Sequence, residues 1–149
     1  MEIKYAFKPK NKSKSVVAAG RDLNMSFKDA VNVCTAVKGL KLADAMALME
    51  NVKVKKTPIP SVKYKLGVGH RKGDVPKSGK YPVKVAGEML KLLNNLQANA
   101  EYKALDVEKI KIKHALALRG FSRAKRKPKG RWKTWNTEYT HMQIMGEES

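Results

Sequence analysis

The chain has 149 residues, 42% of them hydrophobic, and carries 32 Lys and Arg against 13 Asp and Glu, a formal net charge of +19. That length and apolar content fit one domain with a real core and exclude a disordered polycation. The charge opposes compaction unless a polyanion neutralises it, which points to nucleic acid, with a membrane surface as the rival.

No segment approaches the roughly 18 uncharged apolar residues of a membrane span. The start, MEIKYAFKPKNKSKS, is basic but lacks the apolar stretch of a signal peptide. A single cysteine, Cys34, excludes an internal disulfide and fits a reducing compartment. The expected location is the cytoplasm.

Residues 1–21 hold six basic residues and one acidic one. The alternation Ile3-Lys4-Tyr5-Ala6-Phe7 predicts a short strand that Pro9 ends, and KNKSKS reads as an extended arm. Residues 22–105 read as a helical body. Its first helix starts at Ser26. Ser26 and Asp29 form a capping pair, in which the hydroxyl accepts an orphan N–H and the carboxylate sits at the positive helix end. Phe27, Ala30, Val31, Cys34 and Val37 recur at helical spacing, and Gly39 supplies the stop. A second helix is expected at about 41–52, with Leu42, Ala45, Met46, Met49 and Val52 on one face. The short connection makes the two helices neighbours.

Residues 53–81 carry nine basic residues, one acidic residue, three prolines and four glycines, and read as a long basic loop. Pro82 suits the first turn of a third helix. Its stripe runs Val85/Ala86, Met89/Leu90, Leu93, Leu96 and Ala100, and it is expected to end near Leu105. After Asp106 the period switches to two. Ile110, Ile112, His114, Leu116 and Leu118 are expected on one face, and Lys109, Lys111, Lys113, Ala115 and Ala117 on the other. Alternation returns in TEYTHMQIM, with Thr140, Met142 and Ile144 together.

Residues 106–145 therefore read as strand, hairpin and strand, with an extended arm over about 119–135. Counting places His114 opposite His141, Phe121 opposite Thr134 and Arg123 opposite Trp132, with the turn near Lys127-Pro128. An extended strand from Val107 to that turn spans on the order of 60–70 Å at about 3.3 Å per residue. That is too long to fold back wholly onto so small a body.

Enzyme chemistry finds little support. His70, His114 and His141 have no cysteine partner at metal spacing; His114 and His141 across the hairpin read better as a pair of ordinary strand histidines, and no metal is expected. Cys34, on an apolar stripe, reads as core rather than nucleophile. Gly67-Val68-Gly69-His70-Arg71-Lys72-Gly73 fits neither the dinucleotide nor the P-loop pattern. Its glycines would equally suit a flexible loop or a close backbone approach to a phosphate. The carboxylates form no pair beside a His or Ser. No catalytic residue and no cofactor are expected.

The basic run RGFSRAKRKPKGRWKTW is the strongest signal. Eight of its seventeen residues are Lys or Arg and none is acidic. Such a run usually reads as solvated. Here aromatic residues interrupt it, strands flank it, and two other segments are also basic. Cations that meet phosphates release counterions, and aromatic faces stack on unpaired bases. The candidates for RNA contact in the N-terminal arm are Lys8, Lys10, Lys12, Lys14 and Arg21. In the loop they are Lys63, Lys65, His70, Arg71, Lys72, Lys77 and Lys80. In the hairpin they are Arg119, Phe121, Arg123, Lys125, Arg126, Lys127, Lys129, Arg131, Trp132, Lys133 and Trp135.

The stretch ANAEYKALDVEKIKIKH at 98–114, with Gly130-Arg131 and Thr140-His141, resembles the large-subunit ribosomal protein family called L twenty-two. The loop at 53–81, with its Gly-Val-Gly, resembles the insertion of the archaeal and eukaryotic branch. Lys129 before Gly130 and Thr140 before His141 depart from the family's usual residues. The resemblance implies an α+β fold, three helices on a small antiparallel sheet with a long protruding β-hairpin. It implies a structural constituent of the large ribosomal subunit that binds large-subunit rRNA and supports assembly. It also implies neighbouring ribosomal proteins as partners, and a hairpin tip that lines the polypeptide exit tunnel beside the nascent polypeptide. On this sequence that tip is Arg123, Lys125, Arg126, Lys127, Pro128 and Lys129. The alternative is a non-ribosomal RNA-binding protein.

Overall fold

A computed structural model describes residues 4–9, 11–71, 78–130 and 133–148. Of the candidate contacts, Lys10, Lys72, Lys77, Arg131 and Trp132 lie outside the described residues. The fold is α+β. The elements run β1 (Ser15–Leu23), α1 (Phe27–Val37), α2 (Leu42–Lys53), β2 (Ile59–Pro60), β3 (Gly79–Lys80) and α3 (Val83–Tyr102). A short 3₁₀ turn (Val107–Lys109), β4 (Ile110–Arg126) and β5 (Thr134–Glu148) complete the chain. Strands β1, β5 and β4 form one antiparallel sheet in that order, with β5 in the middle. Helix α1 packs against β4, and α3 against β1 and α2.

The helices form where the 3.6-residue stripes lie. The Ser26 hydroxyl accepts the Asp29 N–H at 3.4 Å and caps α1. Ala30, Val33, Cys34 and Val37 of α1, Leu42, Ala45, Met49 and Val52 of α2, and Met89, Leu93, Leu96 and Ala100 of α3 share one core. Inward residues of the sheet close it: Val16, Ala18, Ile110, Ile112, Met142 and Ile144. Gly39 follows α1 with φ of 92°. Its N–H donates to the Ile112 carbonyl, and the Ile112 N–H donates to the Leu40 carbonyl. The helix connection thus covers the lower outer edge of β4 and meets its backbone hydrogen-bonding demand.

The structure corrects several expectations. Residues 4–7 form no strand; the first strand is Ser15–Leu23. Val16 and Ala18 give β1 its buried face. Tyr5 and Phe7 are instead half-buried over the outer face of the sheet. There the Gln143 amide accepts from the Ala6 N–H and donates to the Lys4 carbonyl, both at 2.9 Å. Phe7 stacks on His114 with ring centroids 5.4 Å apart. This covering is why Gln143 and Met145, on the outer face of β5, are also buried. Helix α3 ends at Tyr102 rather than Leu105, because Ala104 turns the backbone with φ of 54°. The loop at 53–81 is not featureless. It contains the β2–β3 ribbon, and the side chain of buried Asn32 pins it by bonding the Lys63 N–H and carbonyl at 3.0 and 3.1 Å.

The largest correction concerns β4. One extra residue enters it between Ile112 and His114, and another between Arg119 and Ser122. A bulge inverts the alternation that follows it. Ala115 is therefore buried, and Leu116 and Leu118 are 37% exposed. Predicted inward and outward faces exchange after Ile112. The register also moves: His114 faces Met145, Leu118 faces His141, Arg123 faces Thr137, and Arg126 faces Thr134. The two histidines are not opposite each other, nor are Phe121 and Thr134.

Candidate nucleic-acid interface

Strand β1 pairs with β5 only as far as Thr140. Beyond the Arg119–Thr140 pair, β4 and β5 have only each other. They run out as a two-stranded ribbon to Arg126 and Thr134, and the Lys127 N–H donates to the Lys133 carbonyl. From Arg119 to Gly130 is about eleven residues, on the order of 35 Å of reach. Lys129 and Gly130 both have positive φ, at 66° and 65°. The chain therefore reverses two residues later than Pro128 had indicated. A proline fixes φ without making a reversal by itself, whereas a left-handed pair does.

The ribbon's described charged side chains are cationic except Glu138 near its root. Arg123, Lys125, Arg126, Lys127, Lys129 and Lys133 are all exposed. Among the described residues, none of them pairs with a carboxylate. Near the end the chain curves around a hollow of about 760 Å³ lined by Lys125, Arg126, Lys127, Lys129 and Lys133 with Pro128. Trp135 stands opposite Lys125 in the ladder and is 59% exposed. Phe121 is 68% exposed at the ribbon's root. Apolar rings of that size left in water on a basic ribbon are available for stacking.

The other candidates fall into two groups. Lys8, Lys12 and Lys14 are exposed along the N-terminal segment, and Arg21 is exposed near the end of β1. Lys103 Nζ fixes that segment by donating to the Ser15 carbonyl at 2.8 Å and the Lys12 carbonyl at 3.3 Å. In the loop, Lys63, Lys65, His70 and Arg71 are exposed, and Arg71 lies over the Tyr81 ring at 5.7 Å. Lys80 and Arg119 also turn to partners within the fold. Lys80 reaches Asp29 at 3.5 Å, and Arg119 lies 5.0 Å above the Phe27 ring. Arg119 therefore braces the ribbon's root against α1 as well as presenting charge.

The histidines play separate parts. His70 bridges to Ser78, and His114 stacks on Phe7. His141 Nδ1 accepts the Asp22 N–H at 3.0 Å. Burial pushes the Cys34 thiol up to about 12, so it stays protonated and unreactive at neutral pH. Native protein at pH 8 should resist alkylation by iodoacetamide, and denatured protein should react within minutes; equal rates would contradict the buried placement. Sequence reasoning missed Asp22, Asn32 and Lys103. The break in alternation at Gly20-Arg21-Asp22 was a signal for the first, and a polar Asn on an apolar helix stripe for the second. No helix among the described residues is long and apolar enough to cross a membrane.

A family model described as Ribosomal protein L22p/L17e matches residues 18–147. The chain is 44% identical over 119 residues to a protein named large ribosomal subunit protein uL22 from Archaeoglobus fulgidus, covering 79% of this chain and 77% of that one. It is 41% identical to the protein of that name from Methanosphaera stadtmanae over 145 residues, 95% of this chain and 94% of the relative. With that from Thermofilum pendens the identity is 38% over 133 residues, 88% and 87% of the two chains. From the helical stripes to the basic ribbon, the chain belongs to the ribosomal protein L22p/L17e family.

Proposed function

We propose that the chain is a structural component of the large ribosomal subunit rather than an enzyme, that it binds large-subunit rRNA and supports subunit assembly, and that the tip of its ribbon lines the polypeptide exit tunnel. The single observation that carries this is the ribbon. It is a paired and therefore directed element, held to the body at one end, whose cations from Arg123 to Lys129 form no ion pair among the described residues. Such an element gains most where phosphate surrounds it on several sides. The names of the relatives support the same reading.

The body and ribbon divide the work. Lys8, Lys12, Lys14, Arg21, Lys63, Lys65 and Arg71 present charge around the body, which suits contact with several rRNA segments. Phe121 and Trp135 offer stacking faces along the ribbon. The distal end is Lys127, Pro128, Lys129 and Gly130, so these would stand nearest the nascent polypeptide. Arg123 and Lys125 lie further back on the ribbon and would face rRNA. Neighbouring ribosomal proteins are the remaining partners.

Sedimentation tests the reading. An epitope-tagged chain expressed in its own cells should co-migrate with large subunits and remain there through a high-salt wash. A chain found only in slow fractions with other RNAs would favour a non-ribosomal RNA-binding protein.

A further inference from the structure

The two bulges at the root of the ribbon flank a second hollow, of about 350 Å³, on the outer face of the sheet. Its size is at the lower end of ligand sites, roughly 300–1,000 Å³. Ala19 and Leu118 give it an apolar floor, Phe121 an aromatic wall, and Lys4, Arg21, Asp22, His141 and Gln143 its polar rim. The β1 bulge turns Asp22 out with φ of 50°, and the β4 bulge carries Gly120 and Phe121. A Cβ at Gly120 would sit 3.0 Å from His141 Cε1 and Nε2, so glycine there makes room for the ring. Bulges re-aim side chains and gather at functional sites.

The free polar atoms have a definite pattern. His141 Nδ1 already accepts the Asp22 N–H, so the neutral ring carries its proton on Nε2 and can donate there. The Gln143 amide is occupied by Ala6 and Lys4. The Asp22 carboxylate, 65% exposed and 3.9 Å from His141 Nδ1, remains an acceptor at the rim. Lys4 adds a cation. An apolar floor, a stacking ring, one anionic acceptor and nearby donors suit a planar base that offers N–H groups and a carbonyl. Guanine does so with N1–H, N2–H and O6.

We infer that this hollow receives one unstacked guanine of the rRNA, with Phe121 against its face and Asp22 accepting from its N1–H and N2–H edge. The inference rests on the rRNA-binding reading above and adds a base-specific site to a mostly phosphate-directed surface. The test uses the full chain bound to purified large-subunit rRNA, probed with a dicarbonyl reagent that modifies unpaired guanine at N1 and N2. Asp22→Asn and Phe121→Leu are compared with the native chain. Both sites are exposed, and Asn tolerates the left-handed backbone at position 22.

One guanine protected by the native chain should regain reactivity severalfold with either variant, while overall affinity falls by about tenfold or less. Binding by all three chains with the same guanine pattern would overturn this inference alone. Ultraviolet adducts from position 121 that run only to a protein neighbour in the intact subunit would also overturn it. A native chain that binds no large-subunit rRNA would overturn both this inference and the function it rests on.

Discussion

Replacing Arg123, Lys125, Arg126 and Lys127 together with glutamine will weaken binding to large-subunit rRNA by at least about a hundredfold in low salt. It will also flatten the plot of log affinity against log salt by about 3 to 4 units of slope. Each of these cations stands in solvent on the ribbon with no carboxylate partner among the described residues. Their attraction to phosphate is therefore not offset by a broken internal ion pair. The fold should not suffer, since exposed substitutions away from caps and core usually change stability by less than about 0.5 kcal/mol. Relief of self-repulsion can even raise the melting temperature slightly. Filter binding across a salt series, with thermal unfolding alongside, checks both halves. An unchanged slope would show that these residues meet no phosphate. A large drop in melting temperature would show that they hold the fold.

The second large effect separates two residues that simple alternation puts on one face. Ile112→Ala should destabilise the protein by about 2–4 kcal/mol, because it empties a fully buried position between sheet and helices. Leu116→Ala should cost about 1 kcal/mol or less, because the bulge after Ile112 turns Leu116 to the outer face, where it is 37% exposed. Ala115, its neighbour, faces the core instead and is only 7% exposed. Denaturant unfolding of the two variants gives the comparison directly. Equal costs would mean that β4 runs without the extra residue and keeps its alternation throughout.

These two cases also show what the amino-acid order makes legible. Each helix announces itself, because its buried side chains repeat every three or four residues and Ser26, Gly39 and Pro82 mark ends. The ribbon is legible as a hairpin because two alternating segments bracket the basic run. Its register is not. A bulge is a single extra residue with no residue type of its own, and two of them lie in β4. Pro128 drew the expected turn towards itself, while the reversal depends on positive φ at Lys129 and Gly130.

Strand β1 was hidden for a different reason. Its short apolar run follows a basic tract and contains the small residues Ala18, Ala19 and Gly20. The covering of the sheet by residues 4–9 was also invisible, because it joins positions as far apart as Ala6 and Gln143. The candidate contacts were legible as residue types, Lys, Arg and exposed aromatics in three basic segments. Their division was not. Lys80 and Arg119 turn back to partners within the fold, and Asp22 comes to His141 only through the pairing of β1 with β5.

The most direct test of the central claim is ultraviolet crosslinking of intact large subunits from cells that make this chain, with adducts mapped by mass spectrometry. Nucleotides of rRNA should be found attached along the ribbon, at Phe121 and Trp135 and between residues 122 and 138, at higher yield than on the helical face around Glu101 and Tyr102. Adducts confined to the helical body, with the ribbon free of RNA, would contradict it.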